Sequence, residues 1–146
     1  MNEQDENLIT YCGLYCPDCP NFRGEIADLA RDLRKKLREK KFDRVSKGLS
    51  AYFKQFENYE QCYEVLGAMV RLRCKEGCRA GGGPPFCKVR VCCQKKAIQG
   101  CWECADFESC EKLDFLKPVH GDAHMLNLRK ISKGGTAKFV AGKRLW

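Results

Sequence analysis

Twelve cysteines dominate this 146-residue chain, and their spacing suits the binding of metal ions. Zinc prefers four soft ligands in a tetrahedron, and two cysteines separated by two residues can supply one edge of it. Cys16 and Cys19 form such a pair, as do Cys101 and Cys104. Several looser pairs accompany them, which makes metal binding a stronger prediction than one pair would. The predicted ligands are Cys12, Cys16, Cys19, Cys74, Cys78, Cys87, Cys92, Cys101, Cys104 and Cys110.

Structural disulfides are the competing use for so many cysteines, and the expected compartment decides between the two. The N-terminal stretch MNEQDENLITYCG is acidic and polar, and it lacks the basic and apolar regions of a signal peptide. We therefore expect a cytoplasmic protein, in which reducing conditions favour metal or redox chemistry over disulfides. No run approaches the about 18 apolar residues of a membrane span, so no membrane is expected as a partner.

The metal and its ligand pairing stay open at this level. We expect about two zinc ions per chain, each held by four ligands. One division places Cys12, Cys16 and Cys19 with one cysteine of the Cys74–Cys110 stretch, and others of that stretch form a second site. An iron–sulfur cluster is the alternative cofactor, and Cys19-Pro20 resembles the Cys-Pro of bacterial ferredoxins. The spacing of Cys12, Cys16 and Cys19 also matches the cluster-binding loop of radical-SAM enzymes. Those enzymes have a barrel of alternating strands and helices, and this sequence does not show that alternation.

Two cysteines stand outside this ligand set. Cys62 lies among aliphatic residues at helical spacing and is predicted to be a buried thiol. Cys93 is adjacent to Cys92 and is either a spare thiol or a replacement ligand. A thiol-dependent enzyme or metal carrier that uses Cys62 or Cys93 is one functional hypothesis, although no acid–base partner stands out for either. The chain is accordingly more consistent with a protein that is not an enzyme.

Helical periodicity accounts for most of the remaining chain. Residues 24–41 form the clearest helix, and its apolar stripe is expected to be buried: Ile26, Leu29, Ala30, Leu33 and Leu37. Residues 46–57 and 59–73 predict one broken helix or two packed ones, with a core face formed by Leu49, Tyr52, Phe53 and Phe56. Shorter helices are predicted over 88–99, from Asp106 or Ser109 to Leu116, and over 122–132. The predicted fold is mainly α, a small metal-stabilised domain with knuckle turns and little or no sheet.

The two histidines lie four residues apart, a spacing that allows metal chelation on a helix. Gly121 and Asp122 lie between His120 and His124 and indicate a helix start instead. We therefore expect surface or capping histidines.

Charge and length suggest one domain with basic surfaces. Residues 1–146 are predicted to form a single domain, with a flexible lead-in over 1–10 and a basic C-terminal helical extension over 118–146. The formal net charge is +8, but a dication with four thiolates adds −2, so two such sites reduce it to about +4. The basic faces of Glu25–Lys41 and Lys117–Trp146 make a protein or nucleic acid the expected partner. The leading functional hypothesis is therefore a zinc-binding structural or interaction module.

The cysteine pattern also resembles a known family. The run from Tyr11 to Pro20 (YCGLYCPDCP), the run from Cys87 to Cys92 (CKVRVC) and the run from Cys101 to Phe107 (CWECADF), followed by Cys110, are similar to an uncharacterised prokaryotic cysteine-rich family. This is one of the families known as domains of unknown function. The resemblance covers most of the chain and implies a small metal-binding domain without an agreed activity. Against that pattern, Cys62 and Cys93 are additions.

Overall fold

The computed structural model describes residues 3–146, and its regular structure is helical. The α-helices are α1 (Glu3–Glu6), α2 (Pro20–Arg23), α3 (Glu25–Glu39), α4 (Phe42–Leu49), α5 (Tyr59–Arg71), α6 (Lys88–Lys96), α7 (Lys117–His120), α8 (Ala123–Gly134) and α9 (Thr136–Ala141). Short 3₁₀ helices lie at Cys16–Asp18, Lys54–Asn58, Cys101–Glu103, Phe107–Ser109 and Glu111–Leu116. No strand occurs within residues 3–146, where Ile9 and Tyr15 form an isolated bridge. The predicted mainly helical, cysteine-rich fold is confirmed.

The chain divides into two compact units. The cysteine unit comprises the described part of Met1–Phe22 together with Lys75–Trp146, and it contains every cysteine except Cys62 and Cys74. The helical unit is Arg23–Cys74. The single-domain assignment stays a prediction, because two compact units can unfold together or separately. None of the helices described between residues 3 and 146 has the length and apolar character needed to cross a bilayer.

The flexible lead-in over residues 1–10 stays a prediction, and its second half contains a buried residue. Ile9 is fully buried in a small apolar cluster with Ile131 and Phe139. The C-terminal helices α8 and α9 supply those two side chains, so the N-terminal segment is held by residues far along the chain. The first two residues of the predicted lead-in lie outside the described part of the structure.

The C-terminal segment also contributes to the core of the cysteine unit, and its assignment as an extension over 118–146 stays a prediction. Ile131 and Phe139 are both buried. The buried Asn127 donates a hydrogen bond from Nδ2 to the carbonyl oxygen of Leu145 at 2.7 Å, and its Oδ1 accepts one from the Leu145 N–H at 3.1 Å. This amide pairing fixes the end of the chain against α8.

The helix boundaries after the glycine-rich loop at residues 80–85 agree only in part with those predicted from the sequence. The helix predicted over 88–99 is α6, which ends at Lys96 because Ala97 adopts a left-handed conformation with φ of 52°. The helix predicted to end at Leu116 is instead two 3₁₀ segments that lead directly into α7. Pro118 lies in the first turn of α7, where a proline costs no backbone hydrogen bond, and not beyond the helix end.

The helical unit packs α3 against α5, and this orients α3 differently from the prediction. Ala27 and Ala30 are buried, whereas Ile26, Leu29 and Leu33 of the predicted core stripe are 50%, 71% and 48% exposed. Small side chains on the contact face let two helices approach closely. The predicted burial is therefore wrong for Ile26, Leu29 and Leu33, whereas Ala30 of the same stripe is buried as predicted.

The face of α5 that meets α3 is also different from the predicted one. The Arg34 guanidinium lies 4.3 Å from the ring centre of Tyr63, and it leaves no room for a Cβ on Gly67. Tyr63 and Gly67 are four residues apart and share one helix face. Cys62 points elsewhere and is exposed, so the prediction that it is a buried thiol is wrong.

Some aromatic residues of the helical unit pack together, whereas others that were predicted to lie in its core are exposed. Phe42 lies 6.2 Å from Phe56 and 5.7 Å from Tyr59, measured between ring centres. Tyr52 and Phe53 are 82% and 57% exposed, so their predicted place in the core is wrong. Both follow the end of α4 at Leu49, where the chain leaves the helix and the helical spacing no longer fixes their direction.

Replacing Gly13 with alanine is expected to destabilise the cysteine unit by about 2–4 kcal/mol. Gly13 has a φ of +86°, and a Cβ there would lie 2.8 Å from the Leu128 side chain and 3.2 Å from the His124 carbonyl oxygen. The carbonyl belongs to helix α8 and cannot turn aside. Gly81→Ala is the matched control, since Gly81 has a φ of +98° with nothing within 4 Å of its Cβ position. Equal losses of the free energy of unfolding for the two variants would contradict the packing argument.

Candidate metal centre

Two tight turns place the cysteine pairs in the same local geometry. A three-residue 3₁₀ turn begins at Cys16 and another begins at Cys101. The N–H of Cys19 donates to the Cys16 carbonyl at 2.9 Å, and the N–H of Cys104 donates to the Cys101 carbonyl at 3.0 Å. The turns predicted for the two Cys-x2-Cys motifs are therefore present, and they are alike.

Hydrogen bonds join the first cysteine loop to the later cysteine stretch. The Thr10 hydroxyl accepts a hydrogen bond from the Leu14 N–H at 3.0 Å, and the backbone N–H of Thr10 donates to the Leu14 carbonyl at 2.8 Å. The loop that carries Cys12 is thus closed on itself. The N–H of Cys101 donates to the Tyr11 carbonyl at 2.8 Å. This bond brings cysteines about 90 residues apart into one region.

Five cysteines lie in one apolar cluster of the cysteine unit, which we call the inner thiol cluster. Two of them are buried members of this cluster, and the other three are half-buried and pack against it. The apolar side chains around them include Leu14, Val89, Leu113 and Leu128. All five are free thiols, as are the other seven. The inner thiol cluster consists of Cys12, Cys87, Cys93, Cys101 and Cys110.

One sulfur pair of the inner thiol cluster has a separation suited to a shared cation. The Sγ atoms of Cys93 and Cys101 are 3.7 Å apart. A disulfide requires about 2.0 Å between its sulfurs. A tetrahedron with metal–sulfur distances of about 2.3 Å places its sulfurs about 3.8 Å apart. The Cys93–Cys101 separation therefore matches one edge of a zinc–thiolate tetrahedron.

Burial and nearby negative charge oppose ionisation of Cys12 and Cys101 in the absence of a cation. The hydrogen bond with Cys93 and burial raise the pKa of Cys101, and negative charge on Cys12 and Cys110 raises it further. Burial raises the pKa of Cys12, and negative charge on Cys87 adds to the effect. The same sulfur–sulfur hydrogen bond lowers the pKa of Cys93. Only a cation among these sulfurs lets several of them ionise together, and metal binding there would release protons.

Lysine side chains accompany two further cysteines near the inner thiol cluster. Lys96 Nζ donates to the Cys104 sulfur at 3.3 Å, and Lys112 Nζ donates to the Cys92 sulfur at 3.5 Å. The pKa of Lys96 is raised by its hydrogen bond with Cys104 and by negative charge on Cys104 and Cys92. Both sulfurs thus have cationic partners on the outside of the unit.

A second sulfur pair lies at the other end of the first cysteine loop. Cys16 and Cys78 share a side-chain hydrogen bond, which lowers the pKa of Cys16 to about 7, while burial opposes the shift and Arg79 supports it. Arg79 donates to the carbonyls of Ile9 and Gln99, each at 2.6 Å. The guanidinium is therefore fixed, and its positive charge stays beside these sulfurs.

The stability of the metal-free protein is expected to depend on Cys16 ionisation. Folding lowers the pKa of this thiol from its ordinary 9.0 to about 7, so its stabilising contribution is present above pH 9 and is lost as pH falls through about 7. Unfolding by denaturant in a chelator, from about pH 6 to 10, should show the wild type losing its advantage over Cys16→Ser as pH falls. Cys78→Ser, which removes the hydrogen-bond partner, should lose most of the same dependence. A difference between wild type and Cys16→Ser that does not change with pH would contradict this.

Two of the predicted ligands, Cys74 and Cys19, do not belong to either of these sulfur pairs. Cys74 is half-buried in the helical unit, and Cys19 is half-buried in the cysteine unit. Within residues 3–146, no three cysteine, histidine or acidic side chains form a group arranged to hold a metal ion. The chemistry and the Cys93–Cys101 separation fit a thiolate-bound cation, while the positions of the remaining sulfurs fit it only in part. The ligand set and the cofactor therefore stay predictions.

Two residues have a more prominent place than the sequence interpretation gave them. Cys93 is only 1% exposed and forms the short sulfur pair. The sequence signal for Cys93 was its position four residues after Val89, because two residues four apart in a helix share one face.

His124 is fully buried, so its predicted surface or capping role is wrong. It belongs with Asn127, Leu128 and Ile131 on the buried face of α8, a periodicity visible in the sequence.

These features define a mainly helical, cysteine-rich protein whose thiols gather around one apolar cluster. The chain belongs to the family described as "Protein of unknown function (DUF3795)", whose family model matches residues 8–115. The predicted membership of an uncharacterised cysteine-rich family is confirmed. Comparison with curated proteins and with solved structures gave no match.

Proposed function

We propose that this protein is a zinc-stabilised interaction module whose metal centre is drawn from the inner thiol cluster. The observation that carries the proposal is the 3.7 Å separation between Cys93 and Cys101 inside an apolar cluster that holds five free thiols. Zinc supplies no redox chemistry at such a site and acts as a cross-link between chain segments. Here it would join the N-terminal loop, α6 and the turns that follow.

A second zinc site is proposed around Cys16 and Cys78. Their hydrogen-bonded sulfurs, the lowered pKa of Cys16 and the fixed guanidinium of Arg79 support thiolate character at neutral pH. Cys19, at the other end of the same turn, is the third ligand expected from the Cys-x2-Cys geometry.

The partner is proposed to be a protein with an apolar contact surface surrounded by acidic residues. Several basic residues of the C-terminal segment already have partners, since Arg129 pairs with Glu108, Lys117 with Asp114 and Arg144 with Asp18. Helix α3 exposes Ile26, Leu29 and Leu33 beside its basic residues, and the ion pairs of Arg31 and Lys36 are with exposed carboxylates of the same helix. An apolar ridge with a basic rim suits a protein surface of opposite charge better than a nucleic-acid backbone, which offers no apolar counterpart.

Elemental analysis of protein purified without oxygen tests the metal assignment. We expect a colourless protein with about two zinc ions per chain. Brown colour with iron and acid-labile sulfide would favour the iron–sulfur alternative and overturn the zinc proposal. A folded protein with neither metal would overturn both.

Leu29→Asp in α3 should leave the metal content unchanged while it abolishes binding to an acidic partner.

A further inference from the structure

The cysteine unit contains a pocket that the proposed metal centre does not explain. It has a volume of about 430 Å³ and lies between the 3₁₀ segments after Cys104 and the first turns of α8. Apolar side chains form much of its wall: Phe107, Leu113, Met125 and Leu126. This volume is far larger than a metal ion needs and lies within the range of small-molecule sites.

His124 lines this pocket with unsatisfied hydrogen-bonding groups. It is fully buried, and neither Nδ1 nor Nε2 has a hydrogen-bond partner within residues 3–146. A neutral imidazole has one donor and one acceptor, so both need a partner. A buried polar group without a partner costs folding free energy. A molecule bound in the pocket could supply a hydrogen-bond partner for His124.

The polar residues of the pocket carry an excess of negative charge, although the whole chain is basic. Four carboxylates and two cationic side chains line it. Glu108 pairs with Arg129, with hydrogen bonds of 2.8 and 2.6 Å, and Asp114 pairs with Lys117 at 2.8 Å. The carboxylates of Glu111 and Asp122 have no ion pair among the described residues.

We infer that this pocket binds a small organic amine with an apolar body. Its ammonium group would meet the carboxylates of Glu111 and Asp122, its apolar part would contact Leu113 and Met125, and a donor on the molecule would meet the imidazole of His124. Two carboxylates without a cationic partner at the pocket favour a cation over a neutral molecule and repel an anion. Cys110 of the inner thiol cluster also lines the pocket, but the inference uses none of the sulfurs.

Two probes of matched shape and opposite charge test this inference. Tyramine carries an aromatic ring, a phenol and an ammonium group, and 4-hydroxyphenylacetate replaces the ammonium with a carboxylate. In NMR titrations of the full chain, tyramine should shift the His124 ring and Met125 methyl signals with a Kd of about 1 mM or below. The carboxylate probe should bind at least about tenfold more weakly. No shift with tyramine, or equal affinity for the two probes, would overturn the inference.

Surface variants separate the pocket from general effects of charge. Glu111→Gln and Asp122→Asn should each weaken tyramine binding about three- to tenfold, because each removes one carboxylate from the pocket. Glu57→Gln removes an exposed carboxylate of the helical unit and should leave the affinity unchanged. Leu126→Trp, at a position that is 41% exposed, should fill the pocket and abolish binding without altering the core. Unchanged tyramine affinity in all three pocket variants would also overturn the inference.

Discussion

Removal of bound metal is expected to destabilise the cysteine unit strongly and to leave α3 and α5 helical. A structural zinc contributes an apparent stabilisation of about 10–16 kcal/mol at neutral pH, which equals or exceeds the whole stability of a typical domain. All cysteines of the inner thiol cluster lie in the cysteine unit, whereas the helical unit contains only Cys62 and Cys74. Emptying the sites should therefore affect one unit far more than the other.

Hydrogen exchange before and after chelation measures this directly. Amides of α6 and α8 should lose protection in the chelated protein, while those in the middle of α3 and α5 keep most of theirs. Addition of zinc should restore the protection, whereas magnesium, which prefers oxygen ligands, should not. If α6 and α8 stay protected after complete metal removal, apolar packing alone holds the cysteine unit and the metal account is wrong.

Cys93→Ser is expected to remove one metal per chain and to lower the free energy of unfolding by about 3 kcal/mol or more. The Cys93 sulfur is 3.7 Å from that of Cys101 and almost fully buried, so serine replaces a soft ligand with a hydroxyl that has no partner in an apolar cluster. Zinc content by elemental analysis and denaturant unfolding at neutral pH are the measurements.

Cys62→Ser is the matched control for this variant. Cys62 is exposed on α5 in the helical unit, and we expect the change to alter the free energy of unfolding by less than about 0.5 kcal/mol with full metal content. The gap between the two variants should shrink in metal-free protein, because only the packing contribution of Cys93 then remains. Full metal content in Cys93→Ser would exclude Cys93 as a ligand.

Much of the helical framework could be predicted from sequence periodicity. Helix α3 lies within the predicted 24–41, α8 follows Asp122 as predicted, and both Cys-x2-Cys turns form where the spacing requires them. These features depend on local chain geometry and on residues within one or two turns of each other. Local sequence patterns describe such features well.

The direction in which each helix faces could not be predicted in the same way. On α3 the predicted apolar stripe is buried at Ala30 but exposed at Ile26, Leu29 and Leu33, and Ala27, which lies outside the stripe, is buried. The choice depends on α5, where the Arg34 guanidinium packs against Gly67 and Tyr63, and this is information from another part of the chain. Packing between helices overrides the pattern within one helix.

The sulfur groups illustrate the same limit at the candidate site. Adjacent cysteines such as Cys92 and Cys93 are equivalent in a spacing argument, but on α6 one meets Lys112 and the other meets Cys101. Which sulfurs meet depends on long-range contacts such as the bond from Cys101 to Tyr11. Spacing therefore predicts that metal is bound, whereas tertiary structure determines which ligands share it.

X-ray absorption at the metal edge of the intact, anaerobically purified protein tests the central claim most directly. The account predicts zinc with a first shell made of sulfur at about 2.3 Å. A first shell of oxygen and nitrogen alone would contradict it, since no thiolate would then bind the metal. A folded protein that gives no metal signal would contradict it as well.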